Sequence, residues 1–226
     1  MAYGNPSLHD ALASLEGVGS LTLVPMFPHY ASATFGAVLD GVYGKVRTRN
    51  VVPALRVVEP FWNAPGFLDA LAAIIQRNVG DAEHLLLSYH GLPERQVMAA
   101  DNGCLRSDDC CARVPKGCYR AQCLATSRAL AERLKLPLST SFQSRLGRAK
   151  WIGPASDAHV EELAKKGVKK LAVATPSFVA DCLETLEEIG LRLKETFLKA
   201  GGEKFTLVPC LNDDPAFIDV LARLVT

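Results

Sequence analysis

The alternation of short β-branched runs with helical-period stretches is the feature that most limits what this 226-residue chain can fold into. In chain order the predicted strands and the helices that follow them are 21–24 and 32–46, 54–58 and 66–79, 85–89 and 119–134, 171–174 and 181–200, then 205–208 and a closing helix from about 215. Repeated strand–helix units favour parallel sheets covered by helices on both faces. The pattern therefore predicts an α/β fold in which only 94–118 fits no regular element.

A break near Gly80-Asp81 predicts a division of this α/β chain into parts. The expected parts are a first half-domain over 1–80, a second over 81–211 that carries a cysteine-rich insertion at about 98–118, and a C-terminal helix over 212–226. Ligands of open parallel sheets bind beyond the carboxyl ends of the strands. The loops that follow each strand are therefore where a site is expected.

Charge and hydropathy argue against nucleic acid binding and against a membrane-spanning helix. Lys and Arg number 25 against 24 Asp and Glu, so the formal charge of +1 gives no excess for binding nucleic acid. No apolar run approaches the roughly 20 residues that a membrane helix needs. The first residues lack the basic start and apolar stretch of a secretory signal, so we expect a cytoplasmic protein.

The predicted strand ends carry residues suited to acid–base or metal chemistry. His90 ends a strand and is followed by Gly91, a position that suits a base, a metal ligand or a satisfied structural histidine. Asp181, Glu184 and Glu188 are spaced i, i+3, i+7 and share one face of a predicted helix. Such a stripe is either a solvated acidic face or a docking line for a divalent cation, which hard oxygen ligands hold weakly enough to pass on.

Five of the seven cysteines fall between Cys104 and Cys123. In a reducing compartment clustered cysteines more often bind metal than form disulfides. The cluster shows no paired C-x-x-C knuckle, so structural zinc is not favoured. The other two, Cys182 and Cys210, lie in apolar surroundings typical of small core residues.

Three segments together resemble the signature of the ferrochelatase family, in the family's order and spacing. They are Ser88-Tyr89-His90-Gly91-Leu92-Pro93, Phe142-Gln143-Ser144-Arg145-Leu146-Gly147 with Trp151-Ile152-Gly153-Pro154, and the run from Phe178 to Glu188. The resemblance implies two Rossmann-like, chelatase-type domains and an enzyme that inserts Fe²⁺ into protoporphyrin IX to form protohaem. The sequence does not distinguish protoporphyrin from coproporphyrin.

The resemblance also implies roles for these residues. Metallation must remove two pyrrole protons, so His90 is the expected proton acceptor. Glu184 would orient His90, bind the incoming Fe²⁺ or take part in proton removal, and Asp181 and Glu188 would extend that carboxylate line. The expected porphyrin-binding walls are aromatic, namely Tyr30, Tyr89, Trp151 and Phe178.

Some ferrochelatases carry a [2Fe-2S] cluster, and a minority place its cysteines in an internal insertion, as this chain does. Four thiolates can hold such a cluster. The resemblance assigns Cys104, Cys110, Cys111 and Cys118, and leaves out Cys123, which falls on the predicted helix.

Members of the family begin roughly a third of a protein earlier, so we expect an N-terminally truncated chain whose first sheet lacks a strand. The alternatives are a non-catalytic iron–sulfur or haem/porphyrin-binding fragment that kept the metal-side motifs, and a chelatase for another tetrapyrrole or another metal, such as cobalt. The expected partners are porphyrin and ferrous iron. Because porphyrins are poorly soluble, peripheral contact with a membrane is compatible with this function.

Overall fold

The computed structural model describes residues 4–100, 104–107, 109–112 and 117–226. Its strands are β1 (Ser20–Leu23), β2 (Ala54–Val57), β3 (His84–His90), β4 (Leu138–Gln143), β5 (Lys170–Ala174) and β6 (Lys204–Leu207). Its α-helices are α1 (Leu8–Ala13), α2 (Ala37–Val46), α3 (Pro65–Asn78), α4 (Glu94–Ala100), α5 (Tyr119–Arg133), α6 (Ser156–Lys165), α7 (Lys194–Lys199) and α8 (Pro215–Val225). Two π-helices (Ser32–Gly36 and Glu184–Leu193) precede α2 and α7, and a 3₁₀ turn covers Cys110–Ala112.

The strands form two parallel sheets, which confirms the α/β prediction. β1 pairs with β2, and the second sheet has the order β4-β3-β5-β6. The central strand β3 pairs with β4 on one side and β5 on the other, and its residues from Leu85 to Tyr89 are buried. A strand buried in this way reads as a nearly continuous apolar run, as Leu85-Leu86-Leu87 does.

Alternate residues of β3 enter two different apolar cores. Leu85, Leu87 and Tyr89 face a core that also contains Phe67 and Phe142. Leu86 faces a second core that includes Leu171, Ile189 and Phe197. Because successive side chains of a strand point to opposite faces, helices must cover both sides of this sheet.

The last helix, α8, packs against α3. Phe217 of α8 lies 6.2 Å from Phe67 and 6.3 Å from Phe61, measured between ring centroids. A Cβ at Gly66 would come within 2.9 Å of Val220, so the close approach of the two helices depends on that glycine. The C-terminal segment is therefore joined to the core formed by 61–75.

Several elements differ from those predicted. The prediction that 94–118 contains no regular element is wrong at its start, because Glu94–Ala100 is α-helical. Strand β4 was not predicted, since Leu-Ser-Thr-Ser-Phe-Gln lacks an apolar alternation; its buried Ser141 is bonded inside the fold instead. The helix expected over 181–200 begins later and runs as a π-helix from Glu184 before becoming α7. None of the helices in the described ranges is long and apolar enough to cross a membrane.

Candidate active site

A cavity of about 430 Å³ opens at the ends of three strands. Met26 and His29 reach it from the segment after β1, His90 from the end of β3, and Phe178 from the segment after β5. Glu184, the first residue of the second π-helix, also lines it. The structure thus brings together His90, Glu184 and Phe178, which lie up to 94 positions apart in the chain.

His90 is held by hydrogen bonds to its backbone and its ring. The Tyr119 hydroxyl donates to its carbonyl oxygen at 2.8 Å, and its own N–H donates to Ser177 Oγ at 3.2 Å. Ring Nδ1 lies 2.6 Å from the carbonyl oxygen of Gly91. Because a carbonyl oxygen can only accept, Nδ1 carries the proton of the neutral ring and Nε2 keeps its lone pair.

Gly91 allows the turn after His90 to approach the neighbouring strand. Its N–H donates to the Gln143 carbonyl oxygen at 2.8 Å. A Cβ at this position would lie 2.7 Å from that same oxygen and 3.2 Å from Cε3 of Trp151. Since real Cβ atoms do not approach a carbonyl oxygen so closely, any larger residue here would displace the His90 turn or the Gln143 strand.

Glu184 is placed by the start of the π-helix. The side chain of Gln143 donates through Nε2 to the Glu184 carbonyl oxygen at 3.0 Å. The N–H of Cys182 donates to Thr185 Oγ1 at 2.9 Å, which closes the turn just before the helix. π-helices are rare and occur frequently at functional sites, where the wider turn re-aims side chains.

His29 lines the same cavity and is buried. Burial lowers its pKa to about 3, so the ring is neutral at physiological pH. Its Nε2 lies 3.0 Å from Thr126 Oγ1, and its ring stands edge-on to Tyr89 at a centroid distance of 5.4 Å. Among the residues that the structure describes, Nδ1 has no hydrogen-bond partner.

Asp181 and Glu188 do not line the cavity that contains His90 and Glu184. The carboxylate of Asp181 accepts from Asn212 Nδ2 at 2.8 Å and from the Cys210 N–H at 3.1 Å. Burial opposes ionisation of Asp181, but these hydrogen bonds outweigh it and its pKa is lowered. Glu188 lines a separate cavity of about 240 Å³ together with Arg145 and Arg192. The single face expected for the three carboxylates is therefore not formed, because Asp181 precedes the helix and the helix is of the π type.

The predicted porphyrin-binding aromatics occupy different surroundings. Phe178 lines the cavity, with its ring centroid 6.3 Å from that of His90. Tyr30 lines a neighbouring cavity of about 760 Å³ beside Trp62. Tyr89 is fully buried in the core, with its hydroxyl 3.0 Å from Ser127 Oγ, and does not face either cavity. Trp151 is half-buried behind Gly91 and donates from Nε1 to the Leu146 carbonyl oxygen at 3.1 Å.

The sulfur atoms assigned to a cluster meet in two pairs. Sγ of Cys104 lies 3.4 Å from Sγ of Cys118, and Sγ of Cys110 lies 3.8 Å from Sγ of Cys111. All four side chains are buried. Burial and then the neighbouring thiols raise the pKa of Cys104, and burial raises that of Cys111 to about 11 although Arg120 donates to its sulfur at 3.1 Å.

No group of three or more His, Cys, Asp or Glu side chains within the described ranges is arranged around one point that could hold a metal ion. Residues 101–103, 108 and 113–116 of the predicted insertion lie outside the described residues. The donor set that is described is thus four buried thiols in two pairs, with one arginine beside one pair.

A family model described as "Ferrochelatase" matches residues 1–226. The chain belongs to the ferrochelatase family. A ferrochelatase from Pseudomonas fluorescens is 49% identical over 237 residues, which cover 99% of this chain and 70% of that relative. One from Legionella pneumophila is 43% identical over 230 residues and is matched over 100% of this chain and 70% of its own length. The resemblance drawn from the three sequence segments is therefore confirmed for the family as a whole.

Solved structures show the same fold class. The structure described as SirB from Bacillus subtilis with Fe³⁺ has a TM-score of 0.66 at 12% identity, and covers 99% of this chain and 79% of that one. A multi-domain Deinococcus radiodurans protein, DR2241, described as structurally similar to chelatases, has a TM-score of 0.58 at 16% identity over 94% of this chain and 43% of its own. At these identities the likeness shows only that the ferrochelatase chain has a chelatase-type α/β fold.

Sequence reasoning did not single out Tyr119 or Gln143 as site residues. Tyr119 follows directly after Cys118, where the cysteine pattern dominated the interpretation. Gln143 belongs to one of the motif segments, but its strand is polar and lacks the apolar alternation that would identify it as a strand. The available signal was its place directly before Ser144 at the end of a strand, because strand ends meet at the site in a parallel sheet.

Proposed function

We propose that this ferrochelatase inserts Fe²⁺ into protoporphyrin IX to form protohaem at the cavity that contains His90 and Glu184. One observation carries the proposal: the two residues line one cavity, and the Gly91 bond leaves Nε2 of His90 as the basic nitrogen. An imidazole nitrogen that can accept a proton and a carboxylate that can contact a cation, both on one cavity, suit the metallation of a porphyrin.

His90 is the proposed proton acceptor. Metallation releases two pyrrole protons for each Fe²⁺ bound, and Nε2 of the neutral ring can take one of them at a time. The Nδ1–H bond to Gly91 then becomes a charge-assisted bond, which stabilises the imidazolium that forms. His90 serves as a relay, because it must pass each proton on before it accepts the next.

Glu184 is the proposed contact for the incoming iron. Fe²⁺ enters as a hydrated cation, and a carboxylate can replace part of its water while remaining weak enough to release it. The exchange of two protons for one Fe²⁺ leaves the net charge of the macrocycle unchanged, but while the cation and the released protons are both at the site a carboxylate balances part of their positive charge. Asp181 and Glu188 are not assigned to iron, since Asp181 is bonded to Asn212 and Glu188 has Arg145 and Arg192 beside it.

Phe178 is the proposed aromatic contact for the macrocycle. Its ring lies beside His90 on the cavity wall. An apolar wall that bends the flat ring would expose the pyrrole nitrogens to the metal, and this strain comes from binding energy elsewhere on the porphyrin. Tyr30, which lines the neighbouring cavity, is the proposed contact for the periphery of the porphyrin.

The two cysteine pairs fit a [2Fe-2S] cluster better than a single ion. Two sulfurs bound to one tetrahedral metal at about 2.3 Å lie about 3.7 Å apart. The observed pairs, at 3.4 Å and 3.8 Å, match this spacing, so Cys104 and Cys118 would hold one iron and Cys110 and Cys111 the other. When bound, such a cluster exchanges one electron. No step of metal insertion is assigned to it.

The two sheets fall on either side of the proposed boundary between units 1–80 and 81–211, but α3 of the first unit shares one apolar core with β3 and α5 of the second. The helix expected over 212–226 is α8, and its packing against α3 joins it to the first unit.

Peripheral contact with a membrane, from which porphyrin would enter, is supported by two exposed apolar side chains. Met26, which lines the cavity, is 40% exposed, and Leu183, which directly precedes Glu184 in the chain, is 73% exposed.

Anaerobic incubation of this chain with ferrous iron and protoporphyrin tests the proposal. We expect porphyrin fluorescence to fall as the haem absorption spectrum appears. The second candidate, a non-catalytic binding module, is favoured only by the buried thiol cluster. It predicts that titration with porphyrin gives saturable binding while addition of ferrous iron produces no haem. That result would mean that the chain binds porphyrin without catalysing metal insertion.

A further inference from the structure

A fully connected row of buried polar groups ends at Glu184. Ser141 Oγ lies 2.8 Å from Ser156 Oγ, which lies 2.9 Å from Ser88 Oγ. Ser88 donates to Gln143 Oε1 at 2.9 Å, and Gln143 donates to the Glu184 carbonyl oxygen at 3.0 Å. Each of the four side chains before Glu184 is at most 3% exposed.

The last bond fixes the direction of all the others. A carbonyl oxygen only accepts, so Gln143 must present its NH₂ group to Glu184 and its oxygen to Ser88. Ser88 therefore donates its single hydroxyl proton to Gln143 Oε1 and must accept a hydrogen bond from Ser156. Ser156 in turn accepts from Ser141. The protons of the row all point toward Glu184, an arrangement in which neighbouring hydrogen bonds strengthen one another.

Gln143 also contacts the His90 side of the cavity. Its carbonyl oxygen accepts the N–H of Gly91 at 2.8 Å, and its Cα is the register partner of His90. The carbonyl oxygen of Gly91 in turn binds Nδ1 of His90. One residue thus joins the start of the helix that carries Glu184 to the turn that orients the His90 ring.

We infer that Gln143 is a positioning residue that sets the separation and orientation of Glu184 relative to His90. This inference rests on the proposed function. The Gln143 side chain does not line the cavity that contains His90, so it acts through the backbone of Glu184 rather than on iron or porphyrin. A base and a metal ligand that must act on one porphyrin centre tolerate little displacement, because a shift of about 1 Å can cost about a hundredfold in rate.

The test replaces Gln143 with Glu and, separately, with Met. Gln143→Glu keeps the size and the acceptor for Ser88 but removes the N–H donor, whereas Gln143→Met removes both. We expect kcat for haem formation to fall about tenfold or more in both, with the KM for porphyrin unchanged within about twofold. Ser139→Ala is the matched control, since Ser139 lies on the same strand at its opposite end, bonded to His84 and His159. It should lower the melting temperature without lowering kcat.

Each result decides between the two claims. If the wild-type chain forms no haem, the proposed function fails, and this inference fails with it. If the wild type is active and folded Gln143→Glu keeps kcat within about twofold, or if Ser139→Ala lowers kcat as much, only the inference is overturned. Should both Gln143 variants fail to fold, Ser88→Ala decides, because loss of the Gln143 partner must lower kcat at unchanged KM.

Discussion

Both carboxylate oxygens of Glu188 accept hydrogen bonds from Ser144, one from the backbone N–H at 2.7 Å and one from the hydroxyl at 2.6 Å. Ser144 has a φ of +64°, which is uncommon for a residue with a side chain. The two bonds hold the chain in this conformation directly after Gln143. Glu188 therefore stabilises the loop that leaves β4, and each of its carboxylate oxygens already accepts one hydrogen bond.

Glu188→Gln should lower the free energy of unfolding by about 2 kcal/mol, because it replaces charge-assisted bonds with weaker ones. It should leave kcat for haem formation within about threefold of the wild type. Denaturant unfolding and initial rates measure the two effects. Glu187→Gln, on the same helix and bonded to Arg192 at the surface, is the control and should change neither. A loss of kcat as large as that of Glu184→Gln would place Glu188 on the path of iron.

His29 predicts a pH dependence of stability. Its pKa is about 3 in the folded protein, below the ordinary value of 6.5, so the unfolded chain binds more protons between these values. Stability is therefore present above pH 6.5 and is lost as the pH falls through this window. Between pH 7 and pH 5 the loss from this residue is about 2 kcal/mol.

Urea unfolding of the wild type and of His29→Gln at several pH values measures this contribution. The variant should show a loss between pH 7 and pH 5 that is smaller by about 2 kcal/mol. The exposed His9 supplies the matched variant, His9→Gln, which should keep the wild-type slope. Equal slopes in the wild type and in His29→Gln would mean that the buried ring does not titrate on unfolding.

The two sulfur pairs predict what each cysteine contributes to a cluster. Protein purified anaerobically should show visible absorption, and Cys111→Ser or Cys104→Ser should remove it, since each removes one ligand of a different iron. Cys210→Ser is the control, because Cys210 is buried beside Thr175 at 3.4 Å and outside the cluster. Unchanged absorption in Cys111→Ser would exclude this ligand set.

The sequence was sufficient to predict most of the elements whose patterns are set by burial, although α6, which buries Val160, Leu163 and Ala164, was not predicted. The apolar run of β3 and the helical periods of α3 and α5 were located within one or two residues, since each buries a continuous face. β4 was missed because Ser141 and Gln143 are buried by hydrogen bonding rather than by apolar contact. A pattern of hydrophobicity does not show that a polar side chain has a hydrogen-bond partner in the folded protein.

The site was predictable where a motif places a residue at a strand end. His90, Glu184 and Phe178 were named from the sequence and share one cavity. The common face of Asp181, Glu184 and Glu188 was not formed, because it assumed the 3.6-residue turn of an α-helix. The wall role of Tyr89 was not supported either, since residue 89 of β3 points into the core while its neighbour His90 points toward the cavity.

The central claim, that His90 and Glu184 together insert iron, is tested most directly with His90→Ala, Glu184→Gln and the double variant in one assay. Porphyrin binding is followed by fluorescence, and haem formation by absorption under anaerobic conditions. The account predicts that all three bind porphyrin with an affinity near that of the wild type, while each single variant loses at least about a hundredfold in kcat and the double variant loses little more than either. Near-normal haem formation by either single variant would contradict it.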